Sequence, residues 1–79
     1  VELLPKELKL MALFMKNPDR VFTKQQLYES VWGEEYLGDS NTIMVHISNL
    51  REKIEDNPKK PTYLKTIRGL GYKLVKHND

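Results

Sequence analysis

The sequence predicts a mainly α-helical domain with a small β component (α+β), in which three helices are followed by a C-terminal β-hairpin. Apolar residues recur at helical spacing in three separate stretches, and after Pro61 the spacing shortens to two. Gly69 and Gly71 interrupt the last run, as expected for the turn of a hairpin. A chain of 79 residues fits one small domain, near the lower size limit for a core without disulfides or metals.

Composition excludes several classes of protein. The chain contains no cysteine, which excludes disulfides and thiolate metal sites. No apolar run approaches the roughly 20 residues of a membrane span, and no signal peptide is visible. We therefore expect a cytoplasmic protein without membrane contact. Because the chain starts at Val1 rather than at methionine, we expect residues 1–79 to be one domain cut from a longer protein.

The first helix is predicted to begin at Pro5, because proline suits a first helical turn, and to end before residues 17–19. Apolar residues cover more than half of its circumference, which is typical of the central helix of a core. They are Leu8, Met11, Ala12 and Met15 at helical spacing, widened by Leu10, Leu13 and Phe14. The short apolar stretch at residues 1–4 is interpreted as the last strand of a sheet.

A short extended segment, residues 20–23, leads into the second helix. Thr23 is predicted to cap this helix, with Gln26 completing a capping box, and Gly33 is predicted to end it. Its apolar residues are Leu27, Val31 and Trp32. Residues 33–40 form an acidic loop to the third helix.

The third helix, predicted over residues 41–56, is the element against which the rest of the chain is expected to pack. Asp39 and Ser40 can cap it, and the Asn57–Pro58 pair ends it. Its narrow apolar stripe consists of Ile43, Ile47, Leu50 and Ile54. Its opposite face carries Thr42, Val45, His46, Asn49 and Lys53.

Two helices joined by a connection and packed on a third make a helix-turn-helix, here with a longer turn than usual. We interpret the outer face of the third helix as a surface for the major groove of DNA, which admits one α-helix. Asn49 is suited to adenine and Val45 to a thymine methyl group. The expected phosphate contacts are Asn41, Thr42, His46 and Lys53. The alternatives are ordinary surface polarity at Asn49 and an exposed or internally bonded histidine at His46.

The hairpin offers a second contact with DNA. Arg68 lies at its glycine-flanked tip, and arginine is favoured in a narrow minor groove; the alternative is a solvated turn cation. Gly69 and Gly71 are interpreted as needed only for the turn. Tyr72 can pack inward or donate its hydroxyl to a phosphate.

Charge supports a nucleic-acid partner, and no catalytic site is visible. Residues 1–39 hold five basic and seven acidic side chains, net −2, whereas residues 40–79 hold eight and four, net +4. His46 and His77 have no visible acidic partner, and no phosphate loop or metal-binding motif is present. We therefore expect no enzyme, cofactor or metal. From residue patterns alone, Trp32 belongs in the core, and Arg51, on the flank of the helix, belongs in a structural ion pair.

Four segments resemble a known family. They are LLPKELKLM, VFTKQQLYESVWG, NTIMVHISNLREKI and YLKTIRGLGYKL. In this order they resemble the C-terminal effector domain of OmpR/PhoB-type response regulators, and they cover almost the whole chain. That domain is a winged helix-turn-helix, so the resemblance makes the hairpin the wing and the helix over residues 41–56 the reading helix.

The resemblance implies further features. The family domain begins with a four-stranded sheet, of which only the last strand would remain, and a receiver domain phosphorylated through a histidine kinase would precede it. Family members bind direct repeats of double-stranded DNA, and residues 33–40 match a loop that touches RNA polymerase in some of them. The matching DNA-contact positions are Trp32, Asn41, Thr42, Val45, His46, Asn49, Arg51, Thr66, Arg68 and Tyr72. The resemblance thus moves Trp32 and Arg51 toward phosphate contact.

The reading helix departs from the family pattern at four positions. Asn41 and Met44 stand where Arg and Asp are common, and Ser48 and Asn49 stand where Arg is frequent. Fewer cations imply a weaker attraction to phosphates and a different base preference. We predict sequence-specific DNA binding that regulates transcription, as the output domain of a two-component response regulator. The alternative is a winged-helix protein-interaction module without a role in DNA binding.

Overall fold

Three helices and one antiparallel hairpin follow each other in the predicted order, in a computed structural model that describes residues 2–76. The helices are α1 (Pro5–Lys16), α2 (Lys24–Trp32) and α3 (Asn41–Ile54), and the strands are β1 (Leu64–Ile67) and β2 (Gly71–Leu74). The predicted fold class is confirmed. The expectations for Val1 and for the tail residues 77–79, including His77, lie outside the described residues.

Every helix and both strands contribute to one core. Among the described residues, the buried apolar side chains are Leu10, Phe14, Phe22, Leu27, Val31, Ile43, Ile47, Leu50, Leu64 and Tyr72. The rings of Phe14 and Phe22 meet edge to face at the centre, with centroids 5.7 Å apart. The stripe predicted on α3 is confirmed, with Ile54 packed at the margin of the core.

The buried face of α1 differs from the face that the helical spacing of its apolar residues predicted. Leu10 and Phe14 are buried together with Glu7, whereas Leu8 and Met15 are exposed. The prediction that Leu8, Ala12 and Met15 lead the core face is therefore wrong. Because apolar residues surround most of this helix, periodicity alone does not identify its inner side, on which Glu7 pairs with Lys53 of α3.

The predicted caps of α2 are confirmed. The Thr23 hydroxyl accepts the backbone N–H of Gln26 at 3.0 Å, and the Gln26 side chain accepts the N–H of Thr23 at 2.9 Å. Gly33 ends the helix in the left-handed conformation, with φ 71°. Local sequence therefore determines both ends of this helix.

The ends of α3 need two corrections. The helix stops at Ile54 rather than at Asp56, because Glu55 turns to an extended conformation (φ −93°, ψ 143°). The Glu55 carboxylate then accepts backbone N–H groups from residues 62–64, at 2.8 Å from Leu64. At the other end, Ser40 makes no capping bond, and Asp39 accepts the N–H of Asn41 at 3.0 Å.

Residues 2–4 do not form the strand that the sequence suggested. Leu4 is the N-cap of α1, and its N–H donates to the Glu7 carboxylate at 2.9 Å. A backbone group used at a helix start is not available for pairing with a neighbouring strand.

The extended segment before α2 anchors the hairpin. Phe22 and Tyr72 exchange two backbone hydrogen bonds of 2.8 and 2.9 Å, so this segment adds a one-residue bridge to β2. Gly71 (φ 157°) lies against the same segment, and a Cβ built on it would be 1.9 Å from the Phe22 carbonyl oxygen. The view that Gly71 serves only the turn is wrong. Gly69 (φ 77°) has open space around it and does serve the turn.

Candidate nucleic-acid interface

One side of α3 faces outward along the whole helix. Its inner residues are almost completely buried, so the opposite side meets solvent. The exposed residues are Asn41, Met44, Val45, Ser48, Asn49 and Glu52. Val45 is 54% exposed although it is apolar. The predicted contact residues Asn41, Val45 and Asn49 all lie on this surface, which we call the outer face of α3.

Glu52 is absent from the residues that the sequence predicted to contact DNA. It lies seven residues after Val45 and therefore on the same side of the helix. Ser48 and Met44 also belong to the outer face, although the sequence marked them only as departures from the family. The helical spacing that placed Val45 would have found all three.

Thr42 and His46 form a half-buried flank beside this face. The Nδ1 atom of His46 lies 2.7 Å from the Thr42 carbonyl oxygen, so Nδ1 carries the proton and donates it. The imidazole stands edge-on to the indole of Trp32, with centroids 5.0 Å apart. Trp32 in turn stacks on Tyr28 at 5.1 Å. Trp32 thus lies at the edge of the core, half-buried, and holds the flank of α3 in position.

Lys53 lies on the protein side of α3, contrary to its predicted place on the outer face. Its ammonium group is 2.5 Å from the Glu7 Oε1 atom, and its side chain is 28% exposed. The hydrogen bond from Lys53, together with the N–H of Leu4, holds the pKa of the Glu7 carboxyl below its usual range despite burial. The expectation that Lys53 reaches phosphates does not fit this geometry, because Glu7 already engages its charge.

Arg51 braces α3 against β1. Its Nε donates to the Leu64 carbonyl oxygen at 3.0 Å, and its terminal nitrogen donates to the Thr66 hydroxyl at 2.8 Å. The guanidinium also lies 5.8 Å from the ring centre of Tyr72. A structural role was expected, but the predicted ion pair is wrong, since within residues 2–76 Arg51 pairs with no acidic side chain.

The tip of the hairpin projects into solvent. The register pairs Ile67 with Gly71, which leaves residues 68–70 as the turn, and Arg68 is exposed there as predicted. Tyr72 packs inward and is only 6% exposed. Burial raises the pKa of the Tyr72 hydroxyl, although Arg51 opposes this. Of the two alternatives for Tyr72, the structure shows inward packing.

The loop over residues 33–40 connects to the same aromatic cluster. The Glu29 carboxylate accepts the N–H of Tyr36 at 3.2 Å, and the Tyr36 ring lies 5.7 Å from that of Tyr28. Beyond this anchor, Leu37 is 85% exposed. The loop is therefore tied down at one point and presents an apolar side chain among acidic residues.

A metal site and a membrane-spanning helix are both absent from the part of the chain that the structure describes. Residues 2–76 contain no group of three or more His, Asp or Glu side chains placed to hold a metal ion. Within the same residues, no helix has the length and apolarity needed to cross a membrane.

A family model and relatives of known sequence both match this chain to transcriptional regulatory proteins. Residues 1–74 match the family described as "Transcriptional regulatory protein, C terminal". The chain is 57% identical, over 70 residues, to the alkaline phosphatase synthesis transcriptional regulatory protein SphR of Synechococcus elongatus, covering 89% of this chain and 27% of that protein. The chain spans only about a third or less of the curated relatives it matches.

Two solved structures share the fold. One is the DNA-binding domain of RstA from Klebsiella pneumoniae in complex with the RstA box, with a TM-score of 0.89, 27% identity, and coverage of 98% of this chain and 76% of that one. The other is the response regulator DrrB of Thermotoga maritima, an OmpR/PhoB homologue, with a TM-score of 0.85, 31% identity, and coverage of 95% and 34%.

Proposed function

Because this chain belongs to the family of C-terminal domains of transcriptional regulatory proteins, of the OmpR/PhoB response-regulator type, we propose that it binds double-stranded DNA sequence-specifically and thereby regulates transcription. The observation that carries the proposal is the outer face of α3. Asn41, Val45 and Asn49 are exposed on it, opposite the residues of α3 that the core buries, which are Ile43, Ile47 and Leu50. A helix anchored in this way can enter the major groove without losing contact with its own domain.

The residues proposed to contact DNA have distinct roles. Asn49 donates to and accepts from the edge of adenine, and Val45 packs on a thymine methyl group. Asn41 and Thr42, at the start of α3, contact backbone phosphates, where the helix N-terminus adds its partial positive charge. His46 and Trp32 lie on the flank and fit contacts with the phosphate strand. Lys53 is left out of the proposed contacts because Glu7 holds it.

The hairpin supplies the second proposed contact. Arg68 at the exposed tip enters the minor groove, where a narrow groove attracts arginine. The two hydrogen bonds of Arg51 to β1 set the angle between hairpin and α3, so both contacts can form at once. The main proposed role of Arg51, Thr66 and Tyr72 is to position the tip of the hairpin. Only their exposed atoms are available to contact a phosphate directly.

The relatives in this family also indicate what the longer protein contains. The chain spans 27% to 33% of its relatives, one of which is named a response regulator. We propose that an N-terminal sheet and a receiver domain precede this domain, that a histidine kinase controls the receiver, and that pairs of the protein bind direct repeats in the bacterial cytoplasm. The exposed Leu37 supports residues 33–40 as a contact with RNA polymerase.

Selection of bound duplexes from a random pool, followed by titration of variants on the selected site, tests the proposal. Asn49→Ala should weaken binding by about 1–3 kcal/mol and relax preference at one base pair. Arg68→Ala should weaken binding with little change in major-groove preference. Lys9→Ala, an exposed change on α1, is the control and should bind like the parent. If Asn49→Ala and Arg68→Ala both bind as tightly as the parent, the contact map is wrong.

The alternative, a winged-helix module that binds only proteins, is separated by a simpler measurement. Phosphate contacts make DNA affinity fall steeply with salt, and they retain some affinity for any duplex at low salt. A gel shift with random-sequence DNA at low salt should therefore show a complex. Absence of any complex would favour the protein-interaction module.

A further inference from the structure

The last quarter of the described chain carries charge of a single sign. Residues 57–76 hold six basic side chains and no acidic one. The segment comprises the loop after α3 and the whole hairpin, so its charge is concentrated on one part of the fold. One of these six, Arg68, belongs to the proposed contact with the minor groove.

Two of these lysines face each other across the hairpin. The register places Lys65 directly opposite Lys73, so both side chains lie on the same side of the sheet. That side is the reverse of the one on which Leu64 and Tyr72 enter the core. Like charges placed directly opposite each other destabilise a hairpin. Within residues 2–76 neither lysine has an acidic partner that would offset the repulsion.

A third lysine, Lys59, is held close to Lys65 by a fixed loop. Lys59 and Lys65 line a groove of about 540 Å³, together with Arg51, Thr66 and two prolines, Pro58 and Pro61. The loop is pinned at its start, where the Asn57 side chain accepts the N–H of Lys59 at 3.1 Å. It is pinned at its end by the Glu55 carboxylate. The cation at position 59 is thus kept beside the hairpin rather than left on a free loop.

We propose that Lys59, Lys65 and Lys73, named here the lysine face, bind the DNA backbone that borders the minor groove entered by Arg68. The inference rests on the proposed function, because Arg68 sets where the hairpin lies. Lys65 is three residues from Arg68, or roughly 10 Å along a strand, which exceeds the roughly 6 Å width of the minor groove. With Arg68 inside the minor groove, a cation at that distance from Arg68 lies outside the groove, beside the phosphates of one of the two DNA strands. Phosphates bound beside Lys65 and Lys73, one to each, also reduce the repulsion between these two lysines.

DNA fits this surface better than an acidic protein does. The lysine face is continuous with Arg68 through the hairpin and with α3 through Arg51, which lines the same groove. A surface continuous with both proposed DNA contacts extends the same footprint. Contacts to phosphates position a protein and add affinity without reading sequence, so these lysines add strength rather than preference.

The salt dependence of binding tests the inference. The double variant Lys65→Gln/Lys73→Gln should lower the slope of log K against log salt by about 1.8, at about 0.9 per phosphate contact. Its base preference in a selection from random DNA should match that of the parent. The matched control is Lys9→Gln/Lys16→Gln, two exposed lysines on α1, which should keep the slope of the parent.

A charge reversal separates binding from folding. Lys65→Glu creates an opposite-charge pair with Lys73, so the melting temperature should rise, by roughly 1–8 °C. Binding to the same duplex should nevertheless weaken, and the slope of log K against log salt should fall by about 0.9. Opposite changes in the two measurements cannot come from a damaged fold.

The outcomes distinguish this inference from the proposed function. If the parent binds no duplex, the proposed function fails and the inference fails with it. If the parent binds but the Lys65/Lys73 variant keeps its full slope, only the lysine face is overturned. An equal loss of slope in the α1 control also overturns it, because the effect would then follow net charge rather than position.

Discussion

The two elements proposed to meet DNA, α3 and the β1–β2 hairpin, are held in the domain by different forces. α3 is held by apolar burial, since Ile43, Ile47 and Leu50 are at most 1% exposed. That contact is spread over many atoms, and each fully buried side chain of this size contributes about 1.5–3 kcal/mol. The outer face of α3 takes no part in this packing, so its residues can change without loosening the helix.

The hairpin is held mainly by a few polar and backbone contacts. Leu64 and Tyr72 enter the core. Polar contacts add the Glu55 carboxylate, the Arg51 hydrogen bonds, and backbone hydrogen bonds of β2 with Asp19 and Phe22. Each side-chain attachment in this set depends on a single residue, either Glu55 or Arg51. The position of the wing therefore depends strongly on a few directional hydrogen bonds, whereas the position of the reading helix depends on a broad apolar surface.

The largest expected effect is that of Gly71→Ala. A methyl group 1.9 Å from the Phe22 carbonyl oxygen cannot be accommodated without separating the hairpin from the segment before α2. We expect a loss of more than about 4 kcal/mol of unfolding free energy, measured by urea denaturation.

Gly69→Ala is the matched control for this change. Nothing lies within 4 Å of a Cβ at Gly69, so only the cost of its positive φ of 77° remains. That cost should be about 1–2 kcal/mol. Equal losses for the two variants would show that turn conformation, rather than close approach, is what requires glycine at Gly71.

The next effect is that of Glu55→Gln, which tests the polar attachment of the hairpin. In the parent, both oxygens of the Glu55 carboxylate accept hydrogen bonds, whereas the amide of glutamine keeps only one acceptor oxygen. We therefore expect the free energy of unfolding to fall by about 3 kcal/mol. Glu52→Gln, an exposed change in the preceding turn, should leave stability within about 0.5 kcal/mol.

The pH dependence of stability also tests the attachment of the hairpin through Glu55. Burial acts to raise the pKa of the Glu55 carboxyl, but the N–H groups of residues 62–64 outweigh burial and lower it. A lowered pKa in the folded state means that the stabilisation is present above the ordinary value of 4.5 and is lost as the pH falls through the folded value. The parent should therefore lose stability below about pH 4.5, and Glu55→Gln should lose less over the same range. Parallel curves for the two proteins would contradict this account.

These contacts also mark what the sequence could and could not predict. Three features were predicted from the sequence: the capping box of Thr23 and Gln26, the end of α2 at Gly33, and the stripe of α3. All of them depend on residues within about three helical turns of each other. Burial of Glu7 depends on Lys53, 46 residues away, and the role of Gly71 depends on Phe22. Periodicity contains no information about such distant pairs, which explains why Lys53 was assigned to the wrong side of α3.

A smaller effect is expected for Lys53→Met, which tests whether Lys53 belongs to the core side of α3. Methionine keeps most of the side-chain volume but leaves the Glu7 carboxylate without its cation. Because Lys53 is 28% exposed, solvent screens part of the loss, and we expect about 1–2 kcal/mol. The salt slope of DNA binding should not change. A slope reduced by about 0.9 would instead restore Lys53 to the phosphate contacts.

The smallest effect on stability, and the sharpest contrast within α3, is expected for Val45→Ala. Val45 is 54% exposed on the outer face, so its truncation should change the free energy of unfolding by less than about 0.5 kcal/mol. Ile47→Ala, two residues away on the buried stripe, should cost about 2–5 kcal/mol. On a selected duplex the order should reverse at a temperature where both variants are folded. Val45→Ala should lose preference for thymine at one position, whereas Ile47→Ala should keep the base preference of the parent, because only Val45 lies where a base-pair edge would be.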